Sequence, residues 1–336
     1  MSRLFTTVSA ITLLTGSAAL ADSPRVVADI APVHSLVSRV MDGIGKPDLI
    51  VPNETSPHDY RLRPADAEAL ENAGLVFWMG EGLTPWMERA LESLSGEATI
   101  VELLALDESK TLPFREGALF DAHDHSEHDD HDDHDDHDDH DHDKEHDDHD
   151  DHDDHGHDDH AGHDHGEFDP HAWLSTDNAK TWLNVIAAKL SSIDPTNAGG
   201  YFANASEAIA ELDALDKEVD EMLDTVRGGK FIVFHDAYQY FETVYDFPAS
   251  GAISLGDASD PGAARIAEIA KRIESENIQC VLSEPQFNAN MVDTVMAGTE
   301  AKTEVIDPLG FGIEPGSSLY TKLIKGMATS LVNCLK

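Results

Sequence analysis

Outside one low-complexity stretch the chain holds four histidines: His34, His58, His171 and His235. They are the side chains best able to do chemistry here. Three stand at the ends of strand-like runs or just before helix-like ones. His58 lies in Ser56-Pro57-His58-Asp59-Tyr60, after the apolar run Leu49–Val51. His171 lies in Asp169-Pro170-His171-Ala172-Trp173-Leu174, and His235 caps Phe231-Ile232-Val233-Phe234. Three neutral imidazoles with a carboxylate or water make a tetrahedral zinc site. Asp307 ends the Thr303–Ile306 run before Pro308-Leu309-Gly310 and is the best-placed carboxylate. By position alone, a lone loop histidine is more often a surface or capping residue than a ligand. His34, in Ala31-Pro32-Val33-His34-Ser35, is expected outside the ligand set, because a fourth imidazole would leave Asp307 no role.

The other sixteen of the twenty histidines are concentrated in residues 121–165. They are His123, His125, His128, His131, His134, His137, His140, His142, His146, His149, His152, His155, His157, His160, His163 and His165. The stretch also carries 23 acidic residues and one lysine, Lys144, for a net charge of −22, half of the chain's −44. Its only apolar side chains are Ala122 and Ala161. Such a segment cannot bury enough surface to offset ordering entropy, so it is expected to be disordered in the absence of metal. Imidazoles among carboxylates suit divalent zinc, nickel or copper, as an auxiliary set of weak sites. The alternative is a solvated spacer whose metal binding is incidental. Overall acidity argues against nucleic acid or an anionic membrane as a partner, since both call for a basic surface.

Residues 1–21 read as a secretory signal. Arg3 precedes an apolar run from Val8 to Leu20, and Ala19-Leu20-Ala21 supplies an A-x-A cleavage site after Ala21. The run is short for a membrane span, which takes about 20 apolar residues. The mature chain is therefore expected to be soluble and exported. Two cysteines exclude a disulfide scaffold, a Cys-rich zinc finger and an iron–sulfur protein. In an oxidising compartment Cys280 and Cys334 form either a disulfide or two inert buried thiols, and the compartment favours the bridge.

The elements that must position these residues alternate between strand and helix. Strands are expected at Arg25–Ile30, Pro47–Val51, Leu75–Met79 and Thr99–Leu104, with helices at Pro32–Met41, Pro64–Asn72 and Pro85–Leu94. Beyond the tract, Thr176–Leu190 is helical, and Pro195–Val226 is a long amphipathic pattern stopped by Gly228-Gly229. The theme then repeats. Strands are expected at Lys230–Phe234, Ile278–Leu282 and Thr303–Ile306, and helices at Asp236–Tyr245, Pro261–Asn277, Asn288–Gly298 and Ser317–Leu335. The fold class is α/β, with two lobes, each a mostly parallel sheet flanked by helices, joined by one long helix. The domains are 1–21 signal peptide, 22–194 N-terminal lobe containing the 121–165 loop, 195–227 linking helix and 228–336 C-terminal lobe. Strand-end loops of two facing sheets would share a cleft. Trp78, Trp173, Tyr238 and Phe241 read as core or cleft lining. Asp59, Asp236 and Glu284 are either acceptors that orient the imidazoles or ordinary caps and ion-pair partners.

Five blocks in order carry a resemblance over essentially the whole mature chain. They are Ser56-Pro57-His58-Asp59-Tyr60-Arg61-Leu62-Arg63-Pro64, Asp169-Pro170-His171-Ala172-Trp173-Leu174, Phe234-His235-Asp236-Ala237-Tyr238-Gln239-Tyr240-Phe241, Ser283-Glu284-Pro285-Gln286-Phe287 and Asp307-Pro308-Leu309-Gly310. Together they resemble the metal-binding periplasmic proteins of ABC transporters (cluster A-I), and within these the zinc-specific ZnuA type. The resemblance implies two α/β lobes around a rigid long helix, with the metal between them. It implies His58, His171 and His235 as ligands, with Asp307 or water in the fourth place. Manganese-type relatives carry Glu where His235 stands, and an inserted His-rich tract is a zinc-type feature. Some zinc members place a Glu ligand just before the first histidine; here that position is Pro57. The family's cysteine pair falls on Cys280 and Cys334.

The expected function is periplasmic capture of Zn²⁺ as a transported ligand and its delivery to an ABC permease. The His/Asp loop would be an auxiliary low-affinity collector or sensor. A periplasmic zinc chaperone or buffer without a permease is the alternative. The protein is expected to be a monomer, with a periplasmic zinc-donor protein as a further partner. A zinc hydrolase is disfavoured, since the chain has no H-E-x-x-H, no G-x-S-x-G and no base assignable to a substrate pocket.

Overall fold

In a computed structural model, residues 23–115, 168–254, 262–287 and 289–336 are described. The signal sequence, its cleavage point and the His/Asp tract lie outside these residues. Among the described residues, no helix is long and apolar enough to cross a membrane.

The first sheet contains β1 (Val26–Ala28), β2 (Asp48–Leu49), β3 (Leu75–Trp78) and β4 (Thr99–Glu102). Its order is β2-β1-β3-β4, all parallel. The helices α1 (Ala31–Val40), α2 (Pro64–Glu71) and α3 (Pro85–Leu94) connect the strands. Each opens with proline in its first turn, where the missing N–H costs nothing. Then come α4 (Thr176–Ile193) and α5 (Ala198–Asp224). At 27 residues, α5 spans about 40 Å.

The second sheet repeats the first. It contains β5 (Phe231–His235), β6 (Ala252–Ser254), β7 (Cys280–Ser283) and β8 (Lys302–Val305), in the order β6-β5-β7-β8, again parallel. Its helices are α6 (Gln239–Tyr245), α7 (Ala263–Ser275), α8 (Ala289–Met296) and α9 (Leu319–Leu335). The sequence pattern missed only β6.

The lobes are not independently cored. Tyr201, Ala205, Ala208, Leu212, Leu215, Val219 and Leu223 form one buried stripe along α5. They join a single apolar cluster running from β1 to α9. α9 packs on α5, α1 and β8, so it belongs to both halves. Alternation along β5 divides its side chains. Phe231 and Val233 enter this shared core, while Ile232 and Phe234 enter a smaller one with Ile269 and Val295 of α7 and α8. His235, two residues on from Val233, therefore lies on the face that looks toward the other lobe.

Cys280 and Cys334 are bridged, with Cα atoms 5.7 Å apart, tying the start of β7 to the end of α9. The closed loop is long, so the bond should stabilise by about 4 kcal/mol through the unfolded chain. Replacing both cysteines by serine is expected to lower the denaturant midpoint of the metal-free protein accordingly. An unchanged midpoint would refute that contribution.

Candidate metal centre

Parallel strands present all their carboxyl ends on one edge of a sheet, and each sheet reverses its strand order beside its first strand. Such reversal points are where open α/β sheets bind ligands. His235 is the last residue of β5, and Glu284 follows its neighbour β7. Both therefore sit at the reversal point of the second sheet.

The loop after β2 delivers His58. It is held on three sides. Trp86 Nε1 donates to the Pro57 carbonyl at 2.8 Å, immediately before His58. Tyr60 Oη donates to Asp66 at 2.6 Å, and burial followed by that carboxylate pushes the Tyr60 hydroxyl up to about 12. Asn53 reaches across to the second lobe, donating to the carbonyls of Gly310 and of Ile313, the latter at 2.8 Å.

His171 comes from the strap between the tract and α4. Asp169 Oδ1 accepts from both the backbone N–H and the Nδ1 of His171, at 2.9 and 2.7 Å. A 3-10 turn, Ala172–Leu174, follows. Its Trp173 donates from Nε1 to the Pro308 carbonyl at 2.8 Å, and the Trp173 carbonyl accepts from Tyr320 Oη at 2.7 Å. The Asp169 carbonyl accepts from Tyr240 Oη at 2.8 Å. The strap is thus fastened to the second lobe at either side of His171.

His235 Nδ1 lies 2.7 Å from Glu284 Oε1. A carboxylate only accepts, so in the neutral rings Nδ1 of both His171 and His235 carries the proton, and Nε2 presents a lone pair. The two Nε2 atoms are 3.4 Å apart. Tetrahedral ligand nitrogens about 2.0–2.1 Å from zinc stand about 3.3–3.4 Å from one another, so this pair already has the required separation. The His58 ring centroid is 5.7 Å from that of His171, and those of His171 and His235 are 5.2 Å apart. Among the described residues, no three His, Cys, Asp or Glu side chains surround a common point.

The cleft is lined by Ser56, Pro57, His58, His171, Trp173, His235, Glu284, Gln286, Phe287, Pro308 and Leu309. Its cavity of ≈ 10 Å³ takes about one water-sized particle. A single ion fits such a space.

Asp307 is half-engaged by its own turn. Its Oδ1 accepts from the N–H groups of Leu309 and Gly310, both at 3.0 Å, and burial raises its carboxyl against those bonds. The turn closes at Gly310, whose φ of 84° is left-handed. Gln286, a cleft-lining residue, neighbours that carboxylate. His34 stands apart, buried in α1 with Nε2 3.1 Å from the Pro47 carbonyl, at a different groove. Of the three orienting acceptors considered from sequence, only Glu284 is paired with an imidazole. Asp59 is exposed, and Asp236 is bound by Arg115. Asp169 went unrecognised, though its place two residues before His171 was a readable signal. Trp173 does line the cleft, while Trp78 is core and donates to Thr84.

The family model for the periplasmic zinc-uptake complex component A, ZnuA, matches residues 26–334. The chain belongs to the ZnuA family. Two relatives named high-affinity zinc uptake system protein ZnuA agree over nearly full length. The one from Brucella abortus (strain 2308) is 46% identical over 320 residues, 95% of this chain and 94% of that protein. The one from Paracoccus denitrificans (strain Pd 1222) is 44% identical, covering 95% of each. A crystal structure of ZnuA shares the fold with a TM-score of 0.69 at 21% identity, covering 94% of this chain and all of that one. A ZnuA deletion mutant with zinc bound gives 0.68 at 21%, covering 94% and 99%.

In this ZnuA-family chain, Asp169 and Glu284 fix the tautomers of two imidazoles. Asp169→Asn and Glu284→Gln are each expected to weaken zinc binding about 10–100-fold. Chelator competition checks this, and unchanged affinity would remove the orienting role.

Proposed function

We propose that this chain captures one Zn²⁺ in the cleft between its lobes, in the periplasm, and delivers it to the membrane permease of an ABC transporter. The observation that carries the reading is the pair of Nε2 atoms 3.4 Å apart, each backed by a carboxylate on Nδ1. With both Nδ1 atoms protonated, the two Nε2 atoms face one small space at the spacing that a shared cation requires. His171 and His235 are the first two ligands, His58 the third, and Asp307 or water the fourth. Three imidazoles favour zinc over manganese. The family's role as a binding component of uptake and the full-length likeness to ZnuA proteins support delivery to a permease.

The chain acts as a binder rather than a hydrolase, in keeping with a family of uptake components. Residues 1–21 act as the export signal, cleaved after Ala21. The lobes divide at 22–194 and 228–336 around the 195–227 helix, and the protein works as a monomer. The 121–165 tract serves as an auxiliary, low-affinity collector or sensor, supplied in turn by a zinc-donor protein. Weak sites are expected because each binding event orders flexible chain.

Zinc titration with competing chelators tests the assignment. The wild type and a deletion of 121–165 should each bind one tight equivalent. His58→Ala, His171→Ala and His235→Ala should each lose or weaken it by orders of magnitude, and Asp307→Asn should do so less. A tight equivalent that survives all three histidine changes would refute the site.

A further inference from the structure

Arg115 belongs to the segment that leaves the first lobe ahead of the tract, and its guanidinium ends between two carboxylates of the second. The Arg115 side chain is 17% exposed, and those of Asp236 and Glu242 are 7% and 6% exposed. Arg115 Nε donates to both oxygens of Asp236 at 3.0 Å, and Nη2 also donates to Asp236. Nη1 reaches Glu242 Oε2 at 2.7 Å, and Nη2 reaches Oε1 at 3.1 Å. One cation from one lobe thus lies between two anions of the other. Asp236 directly follows His235 in the chain.

The segment around Arg115 also leads to His171. Leu112 N–H donates to Tyr240 Oη at 3.0 Å, and Tyr240 Oη donates to the carbonyl of Asp169, the residue that holds His171. Pro113 and Phe168 form an antiparallel bridge between this segment and the strap that carries His171. Arg115 is therefore linked, by the Pro113–Phe168 bridge and Tyr240, to the segment that carries one imidazole, and it grips the residue beside the other. Without the guanidinium, two buried carboxylates would lack a compensating charge, which is strongly unfavourable. Separating the bridged segments from β5 and α6 would let water reach them, and that movement parts His171 from His235.

We propose that Arg115 is an interlobe positioning residue, whose pairing with Asp236 and Glu242 sets how slowly the captured ion leaves the cleft. This rests on the zinc-capture reading above. The pairing holds together the two faces that carry His171 and His235, and parting them is the step that release requires.

The test follows zinc release from the full chain into excess chelator by stopped flow, with association measured separately and melting of the metal-free protein recorded. Arg115→Met should release zinc about tenfold faster or more, with association little changed, as for the loss of one member of a buried charge pair. Arg115→Lys keeps the charge without the two-pronged geometry and should fall between Met and wild type. It carries the test if Arg115→Met does not fold. Ile273→Ala, in the outer core of the second lobe, controls for lost stability. It should lower the melting temperature and leave release at the wild-type rate. The proposal is overturned if both Arg115 variants release zinc as slowly as wild type. It is also overturned if Ile273→Ala speeds release as much as an Arg115 variant of equal melting temperature. A wild type without a tight zinc site would overturn the capture reading along with it.

Discussion

Two short hydrogen bonds, Asp169 to His171 and Glu284 to His235, govern the rest of the site. Each settles, in the neutral ring, which nitrogen is protonated and which way Nε2 points. The carboxylates come from different lobes, and so do the imidazoles they hold. The donor pair at the cleft therefore exists only while the two lobes keep their spacing. The large interlobe scaffold can be understood as what fixes that one distance.

Much of the scaffold runs through side chains whose polar ends cross the interface. Trp173 donates to Pro308, Tyr320 to the carbonyls of Trp173 and Ser175, and Asn53 to those of Gly310 and Ile313. Beneath them the apolar core is continuous from one lobe to the other. Ion pairs along α5, such as Arg39 with Glu207 and Glu211, lie on the exposed side and add little by comparison. The lobes share one apolar core about α5 and α9. Whatever opens the cleft must work against buried contacts on both sides of it.

The sequence was legible where function rests on local pattern. The alternation Phe231, Val233, His235 aims the last residue of β5 inward, and a run of strand and helix signals disclosed both sheets apart from three-residue β6. Glu284 could be suspected because it follows an apolar strand. Asp59 and Asp236 looked as well placed, yet one faces solvent and the other pairs with Arg115. No spacing rule could have told these three apart, because their partners come from chain as much as 121 residues away. The separation of the Nε2 atoms was likewise invisible, being set by the contact of two lobes. The His/Asp tract declared itself by composition and lies outside the described residues.

α9 joins the two sheets although it lies at the end of the second. This helix follows both sheets, yet it fills core shared by both and carries Tyr320, which pins the turn beside His171. Its far end is joined covalently to the strand that leads to Glu284. The helix nearest the C-terminus thus closes both the core common to the two sheets and the turn that carries one imidazole, so the site and the fold share a single keystone.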